Sequence, residues 1–129
     1  MHPNEKLLRD GYAAMARGDG KVLGAMLAPD ALWMIPGRSL LAGHYTGLTQ
    51  IFNFWKRVAE LAPGGLRLEV QDVMANEERG VVFVVGRGSR LGRSIEERGI
   101  HVFRFEKGRA KEARFYYEDQ EAYDAFWSE

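Results

Sequence analysis

The sequence has no cysteine among its 129 residues. That excludes a disulfide framework, thiol catalysis and cysteine-ligated metal, and it fits a cytoplasmic setting. Charge of one sign is also lacking. Lys+Arg and Asp+Glu number 18 each, for a formal net charge of +0. No basic stripe with interleaved aromatics is present, which argues against nucleic-acid binding. No apolar run reaches membrane-spanning length, and the polar start Met1-His2-Pro3-Asn4-Glu5 has no signal-peptide core, so neither a membrane partner nor export is expected. Histidine is scarce, at three residues without spaced carboxylates, so no metal site is expected. Gly86-Arg87-Gly88 falls within a predicted strand with no helix after it, so it is not a phosphate loop. The chain is expected to need no cofactor.

What is present is apolar residue, at 46% of the chain. A chain of this size buries roughly two-thirds of its unfolded surface and can hold a core without staples. The length predicts one domain over residues 1–129.

Asn4 reads as a helix N-cap with Glu5 in the first turn. Leu8, Tyr12 and Met15 then recur at helical spacing. Gly18 ends this helix, and Asp19 caps a short second one through Val22, Leu23, Met26 and Leu27. Pro29-Asp30 is expected to break it, and Ala31 to Ile35 to form a short strand. A small strand is expected around Leu41 to Tyr45. A third helix starts at Thr46-Gly47, with Ile51, Trp55, Val58 and Ala62 on its apolar stripe. Pro63-Gly64-Gly65 stops it.

The rest is nearly all strand. Leu66, Leu68 and Val70 alternate with Arg67, Glu69 and Gln71, and the rhythm breaks at Asp72-Val73, which predicts a bulge. Strands follow over Val81 to Arg87, Ile95 to Phe105 and Ala110 to Tyr117. Glu106-Lys107-Gly108-Arg109 is a hairpin turn between the last two, where glycine supplies a positive φ. Glu118-Asp119 caps a short terminal helix bearing Tyr123, Phe126 and Trp127. Helices first and antiparallel strands after make an α+β layer arrangement.

The strand from Ile95 to Phe105 carries the main chemistry. Alternation puts Ile95, Glu97, Gly99, His101, Phe103 and Phe105 on one face. The other face carries Glu96, Arg98, Ile100, Val102 and Arg104. If the first face lines a pocket, His101 is the candidate acid/base or oxyanion donor, since imidazole titrates near neutrality. Glu97 lies about 7 Å along the same face; it either assists His101 or sits at the wet rim of the strand. The apolar outer residues Ile100 and Val102 predict a homodimer packed through the sheet.

Several stretches together resemble the SnoaL-like and ketosteroid-isomerase-like branch of the nuclear transport factor 2-like fold. They are Tyr12-Ala13-Ala14 with Arg17-Gly18-Asp19, and Met26-Leu27-Ala28-Pro29-Asp30-Ala31. They continue with Leu32-Trp33-Met34-Ile35-Pro36-Gly37 and Leu41-Ala42-Gly43-His44-Tyr45-Thr46-Gly47. Phe103-Arg104-Phe105 and Arg114-Phe115-Tyr116-Tyr117-Glu118 complete the set. The resemblance implies a cystatin-like α+β barrel. This is a cone-shaped curved antiparallel or mixed sheet wrapped around a long helix, with N-terminal helices and a pocket between. It also implies dimerisation and a small hydrophobic ligand.

The catalytic positions of ketosteroid isomerase, a worked case of carboxylate base, tyrosine and protonated aspartate, carry over poorly. The base position is Ile35. The tyrosine position is Gly11, one residue from Tyr12 and so about 100° away on a helix. The aspartate position is His101. The Asp–Arg–Asp cluster of epoxide hydrolases of this fold is not matched by Arg87, Glu97 and His101. The SnoaL-like cyclases place a histidine near a late-strand carboxylate, a place His101 can take.

The expected catalytic set is therefore His101, Glu97 and Arg87. On the register the resemblance implies, Arg87 belongs to an inner set with Phe83 and Val85, where it would bind an anionic group or enolate oxygen. Trp33, Trp55, Phe83, Phe103, Tyr117 and Tyr12 are the expected ligand-binding wall. Two readings follow. One is an isomerase-, cyclase- or hydrolase-type enzyme acting on a hydrophobic carbonyl compound. The other is a non-catalytic binding or dimerisation module with the same cone. Two or more convergent titratable groups inside the cone favour the enzyme.

Overall fold

The computed structural model describes all residues 1–129. Helix α1 runs Pro3–Ala16 and α2 Gly20–Met26. Strands β1 (Leu27–Ile35) and β2 (Gly43–Thr46) precede helix α3 (Gly47–Leu61). Strands β3 (Leu66–Ala75), β4 (Arg79–Arg90), β5 (Arg93–Glu106) and β6 (Arg109–Tyr117) follow, and helix α4 (Gln120–Phe126) closes the chain. None of the helices is long and apolar enough to cross a membrane.

The six strands form one sheet in the order β2-β1-β6-β5-β4-β3. Only β1 and β6 run parallel; every other pairing is antiparallel, so the sheet is mixed. This is the expected α+β class. Two hairpin turns fix the long strands. Leu91 and Gly92 have φ 50° and 73°, and Lys107 and Gly108 have φ 53° and 75°. Positive φ at both central residues is the turn whose twist suits adjacent antiparallel strands. The expected bulge in β3 is present, as a register shift between Val70 and Asp72.

Three local expectations are corrected. Asn4 does not cap α1. Pro3 takes the first helical position, and the His2 ring accepts from the Asn4 N–H. The Asn4 side chain is buried and donates to the Asn76 and Glu77 carbonyls, so it ties α1 to the β3–β4 turn. Strand β1 begins at Leu27, not Ala31. Pro29 is accommodated in an irregularity between Leu27 and Leu32, the kind of site where a sheet tolerates a missing N–H. The third correction is the facing of β4. Val82 pairs with His101, and Gly86 with Glu97. Even-numbered residues of β4 therefore share the inner face, and Phe83, Val85 and Arg87 point outward.

The core sits inside the curve of the sheet. Trp33 of β1, Phe103 of β5, Phe115 of β6 and Ile51 and Phe54 of α3 belong to one buried cluster. Helix α3 lies against β1 and β2, while α1 crosses the other side against β3 and β4. Helix α4 is held by arginines of the β4–β5 hairpin. Arg90 donates to the Leu61, Phe126 and Ser128 carbonyls, and Arg93 to the Ala125 and Ser128 carbonyls. Cations at a helix C-terminus satisfy its free carbonyls.

Candidate functional site

The inner face of β5 builds the site. Alternation sends Glu97, His101 and Phe103 inward beneath α1 and α3. His101 is 6% exposed and Phe103 1%. Tyr12, on the buried stripe of α1, places its hydroxyl in a hydrogen bond with Nδ1 of His101. The two rings lie 5.7 Å apart and close to parallel, at 27°. Phe115, the β6 partner of His101, packs edge-on at 4.5 Å. Burial among these rings pushes the His101 pKa down to about 3. It pushes the Tyr12 hydroxyl well above the usual tyrosine range. Near neutral pH both groups are uncharged, and the imidazole is a dipole rather than a cation.

Glu97 is half-buried on the inner face of β5. Its Oε2 is buried and has no hydrogen-bond partner. The reason lies across the strand pair, at Gly86. A Cβ at that position would stand 3.2 Å from Glu97 Cγ and 3.4 Å from Leu68 Cδ2. The missing side chain leaves room for Glu97 to lie over β4 beside Leu68. Burial raises its pKa to about 8. A carboxyl so placed is mostly protonated at neutral pH and ionises within reach of it.

Tyr117 and Tyr123 flank this carboxyl. Tyr117 comes from the inner face of β6 and passes over Gly99, its β5 partner. Tyr123 of α4 stacks on it, with ring centroids 4.0 Å apart and planes at 11°. Burial holds the Tyr117 hydroxyl well above its ordinary pKa, with smaller contributions from Tyr123, Glu97 and Tyr12. Burial likewise raises Tyr123. Tyr123 was not singled out from the sequence as a site residue. Its signal was its position one turn after the Asp119 cap, which the structure bears out.

Arg87 and Phe83 are not in this group. Arg87 lies on the outer face, where it pairs with Glu69 at 2.5 Å and Glu96 at 3.4 Å. Phe83 is 37% exposed on the same outer face. One residue of strand parity separates the expected from the observed facing. The structure brings together His101, Glu97, Tyr12, Phe103 and Tyr117, with Trp33 and Trp55 on the far side of Phe115. Trp33 is 5.2 Å from Phe115 and 5.6 Å from Trp55.

A cavity of about 690 Å³ opens between α1, α2, α3 and β3. Its wall includes Tyr12, Phe52, Trp55, Val58 and Leu68, with Asp19 and Arg67 among its polar residues. Of the expected ligand-binding wall only Tyr12 and Trp55 line this cavity; Trp33, Phe103 and Tyr117, like His101 and Glu97, do not. The inner groups meet it through contacts such as His101 with Tyr12 and Trp33 with Trp55. No cluster of three or more His, Asp or Glu side chains is arranged to hold a metal ion.

Comparison with known proteins agrees with this architecture. Residues 8–113 match the family model described as a SnoaL-like domain. An uncharacterized protein of Mycobacterium tuberculosis is 31% identical over 123 residues, covering 95% of this chain and 94% of its own. Among solved structures, Bal32a from a soil-derived mobile gene cassette superposes with a TM-score of 0.92 at 30% identity, covering 97% of this chain and 96% of that one. An NTF2-like protein of unknown function from Burkholderia pseudomallei gives 0.88 at 28% identity, with both chains covered to 100%.

Proposed function

The chain belongs to the SnoaL-like domain family, and on that footing we propose that its cone binds a small hydrophobic carbonyl compound and moves a proton on it. One observation carries this reading. A half-buried carboxyl, with its Oε2 buried and unpartnered and its pKa raised to about 8, shares the inner face of β5 with a buried, neutral histidine.

The roles follow from the two environments. Glu97 is the proton carrier. Its ionised form takes a proton from the carbon next to the carbonyl; the C–H bond breaks and its electrons move onto the carbonyl oxygen. A base whose pKa lies near ambient pH can both accept and return that proton. His101 is the oxygen's donor. With the Tyr12 hydroxyl donating to Nδ1, the ring proton sits on Nε2, and a neutral imidazole polarises a carbonyl without giving up its proton. Tyr12 is thus a positioning residue that sets the tautomer.

The test needs no native substrate. Deuterium exchange next to the carbonyl of an aromatic cyclic ketone, followed by NMR in D2O, reads the step directly. The protein accelerates exchange, and the rate climbs with pH to a plateau above about 8, since the ionised carboxylate is the active form. Glu97→Gln lowers the rate by about 100-fold or more. If Glu97→Gln exchanges as fast as the wild type, the cone is a binding module and the catalytic reading is wrong.

We also propose a homodimer through the outer face of the sheet. Phe83 and Tyr116 are 37% and 52% exposed there. With Ile100 and Arg98 they line a concavity of about 490 Å³. Large apolar side chains grouped on one open sheet face mark an interaction surface. Sedimentation shows a dimer, and Tyr116→Lys shifts it toward monomer. A wild-type monomer at roughly micromolar concentration, where an ordinary protein interface still holds, sinks the proposal.

A further inference from the structure

Two polar groups inside the cone have no part in the chemistry above. The indole Nε1 atoms of Trp33 and Trp55 are buried, and neither has a hydrogen-bond partner. A buried donor left without an acceptor costs about 1–3 kcal/mol, and native interiors leave few of them. Here two occur on neighbouring rings, 5.6 Å apart and nearly perpendicular at 80°. Trp33 projects from the inner face of β1, and Trp55 comes from α3 and lines the cavity.

Their position relative to His101 is set by one side chain. Phe115 stands between, 5.2 Å from the Trp33 ring and 4.5 Å from the His101 ring. About one aromatic ring therefore separates the indole pair from the imidazole. The charge of the interior is equally defined. The one buried cation is Arg90, and its guanidinium is already committed to the Leu61, Phe126 and Ser128 carbonyls. Arg87 faces outward to Glu69 and Glu96. The one cation on the cavity wall is Arg67, which is exposed and shares that wall with the carboxylates of Asp19 and Glu69. An anion placed beside Glu97 would therefore be desolvated without a buried partner, which is costly.

We propose that the indole N–H groups of Trp33 and Trp55 bind a second oxygen atom of the ligand. The ligand is then a planar, uncharged aromatic molecule with an acceptor oxygen at each end. This rests on the reading that His101 holds the first oxygen. An indole N–H only donates, so its partner is a carbonyl, ether or hydroxyl oxygen and not an ammonium group. Two donors on one side and one on the other also fix which end of the ligand points toward Glu97.

Three synthetic probes test the assignment by calorimetric titration. They are a naphthalene with an acetyl group at each end, the same ring with one acetyl replaced by isopropyl, and the same ring with one acetyl replaced by carboxylate. The diacetyl probe binds about 25-fold tighter than the isopropyl probe, each of the two net hydrogen bonds being worth about 5-fold. The carboxylate probe binds weakest. In Trp33→Phe and Trp55→Phe the advantage of the second acetyl shrinks toward one, while the isopropyl probe keeps its affinity.

The indole N–H resonances of ¹⁵N-labelled wild type give a readout that survives if either variant fails to fold. Those of Trp33 and Trp55 shift with the diacetyl probe and much less with the isopropyl probe, and Trp127 serves as the internal reference. Equal affinity for the diacetyl and isopropyl probes overturns the proposal, as does carboxylate binding tightest. So does an equal loss for both neutral probes in the tryptophan variants, or no binding of any probe. Glu97→Gln retains the preference for two oxygens while losing exchange, so failure here and failure of the catalytic reading are distinguishable.

Discussion

The two faces of β5 carry neighbouring glutamates in opposite circumstances. Glu96 points outward and pairs with Arg87, which also holds Glu69. Glu97 points inward, over Gly86, with a buried oxygen and no partner. Hydrogen bonding to Arg87 lowers the pKa of Glu69. Burial raises that of Glu97 to about 8. The same side chain is thus a fixed charge on one face and a titrating group on the other. Desolvation separates them, and desolvation follows from strand parity and one glycine. A paired surface carboxylate contributes modestly to stability and has little to offer as a base at neutral pH. An unpaired buried one costs stability and is suited to proton transfer, which is the trade expected at a functional site.

The largest effect on stability should come from the inner groups, and its sign can be worked out. Glu97 has its pKa raised from 4.5 to about 8 on folding, so between these values the folded chain holds a proton the unfolded chain has lost. Stability contributed by its protonation therefore falls as pH rises through that window. His101 has its pKa lowered from 6.5 to about 3, so stability falls as pH drops from 6.5 toward 3. Between 4.5 and 6.5 the two slopes oppose each other, and the melting temperature of the wild type should be flattest there. Above 6.5 only the Glu97 slope remains of the two. Gln cannot ionise, so Glu97→Gln should gain on the wild type steadily as pH rises from 4.5 to 8 and differ least at acid pH. Melting curves across this range check both statements. A constant difference between wild type and variant would mean that Glu97 is solvated in the folded chain, and the contrast between the faces would collapse.

Much of the frame was legible because its signals are local. The break at Asp72 marks the bulge, Gly108 the hairpin, Asp19 and Asp119 the caps, and all are where the spacing put them. The alternation of Ile95 to Phe105 also reads correctly, since charge marks one side of that strand at Glu96, Arg98 and Arg104. Strand β4 offers no such mark. Val81 to Val85 is apolar on both faces, so parity cannot be read from it, and the family register points Arg87 and Phe83 inward. Only the pairing of Val82 with His101 decides the matter. The burial of Glu97 was hidden for a related reason. It depends on which β4 residue lies opposite, and a cross-strand partner is a long-range fact. The hydrogen-bond partner of the Tyr12 hydroxyl was hidden in the same way. His101 supplies that partner from 89 residues away.

The smallest expected effect tests the contrast from the outside. Arg87 touches Glu69 and Glu96 and nothing in the cone. Its side chain is 35% exposed, and both partners are more exposed than that. Exposed ion pairs of this kind contribute little to stability, and salt screens what they do contribute. Arg87→Ala should therefore leave ketone exchange at the wild-type rate and its pH dependence in place. The release of Glu69 should appear as a carboxyl pKa moving back up toward 4.5, readable by carbon NMR of the side chain. Adding salt to the wild type should move that pKa the same way while leaving the Glu97 pKa untouched, because ions reach the outer pair and not the interior. If Arg87→Ala slows exchange as Glu97→Gln does, the sheet couples its faces through the backbone of β4, and the outer arginine belongs to the chemistry after all.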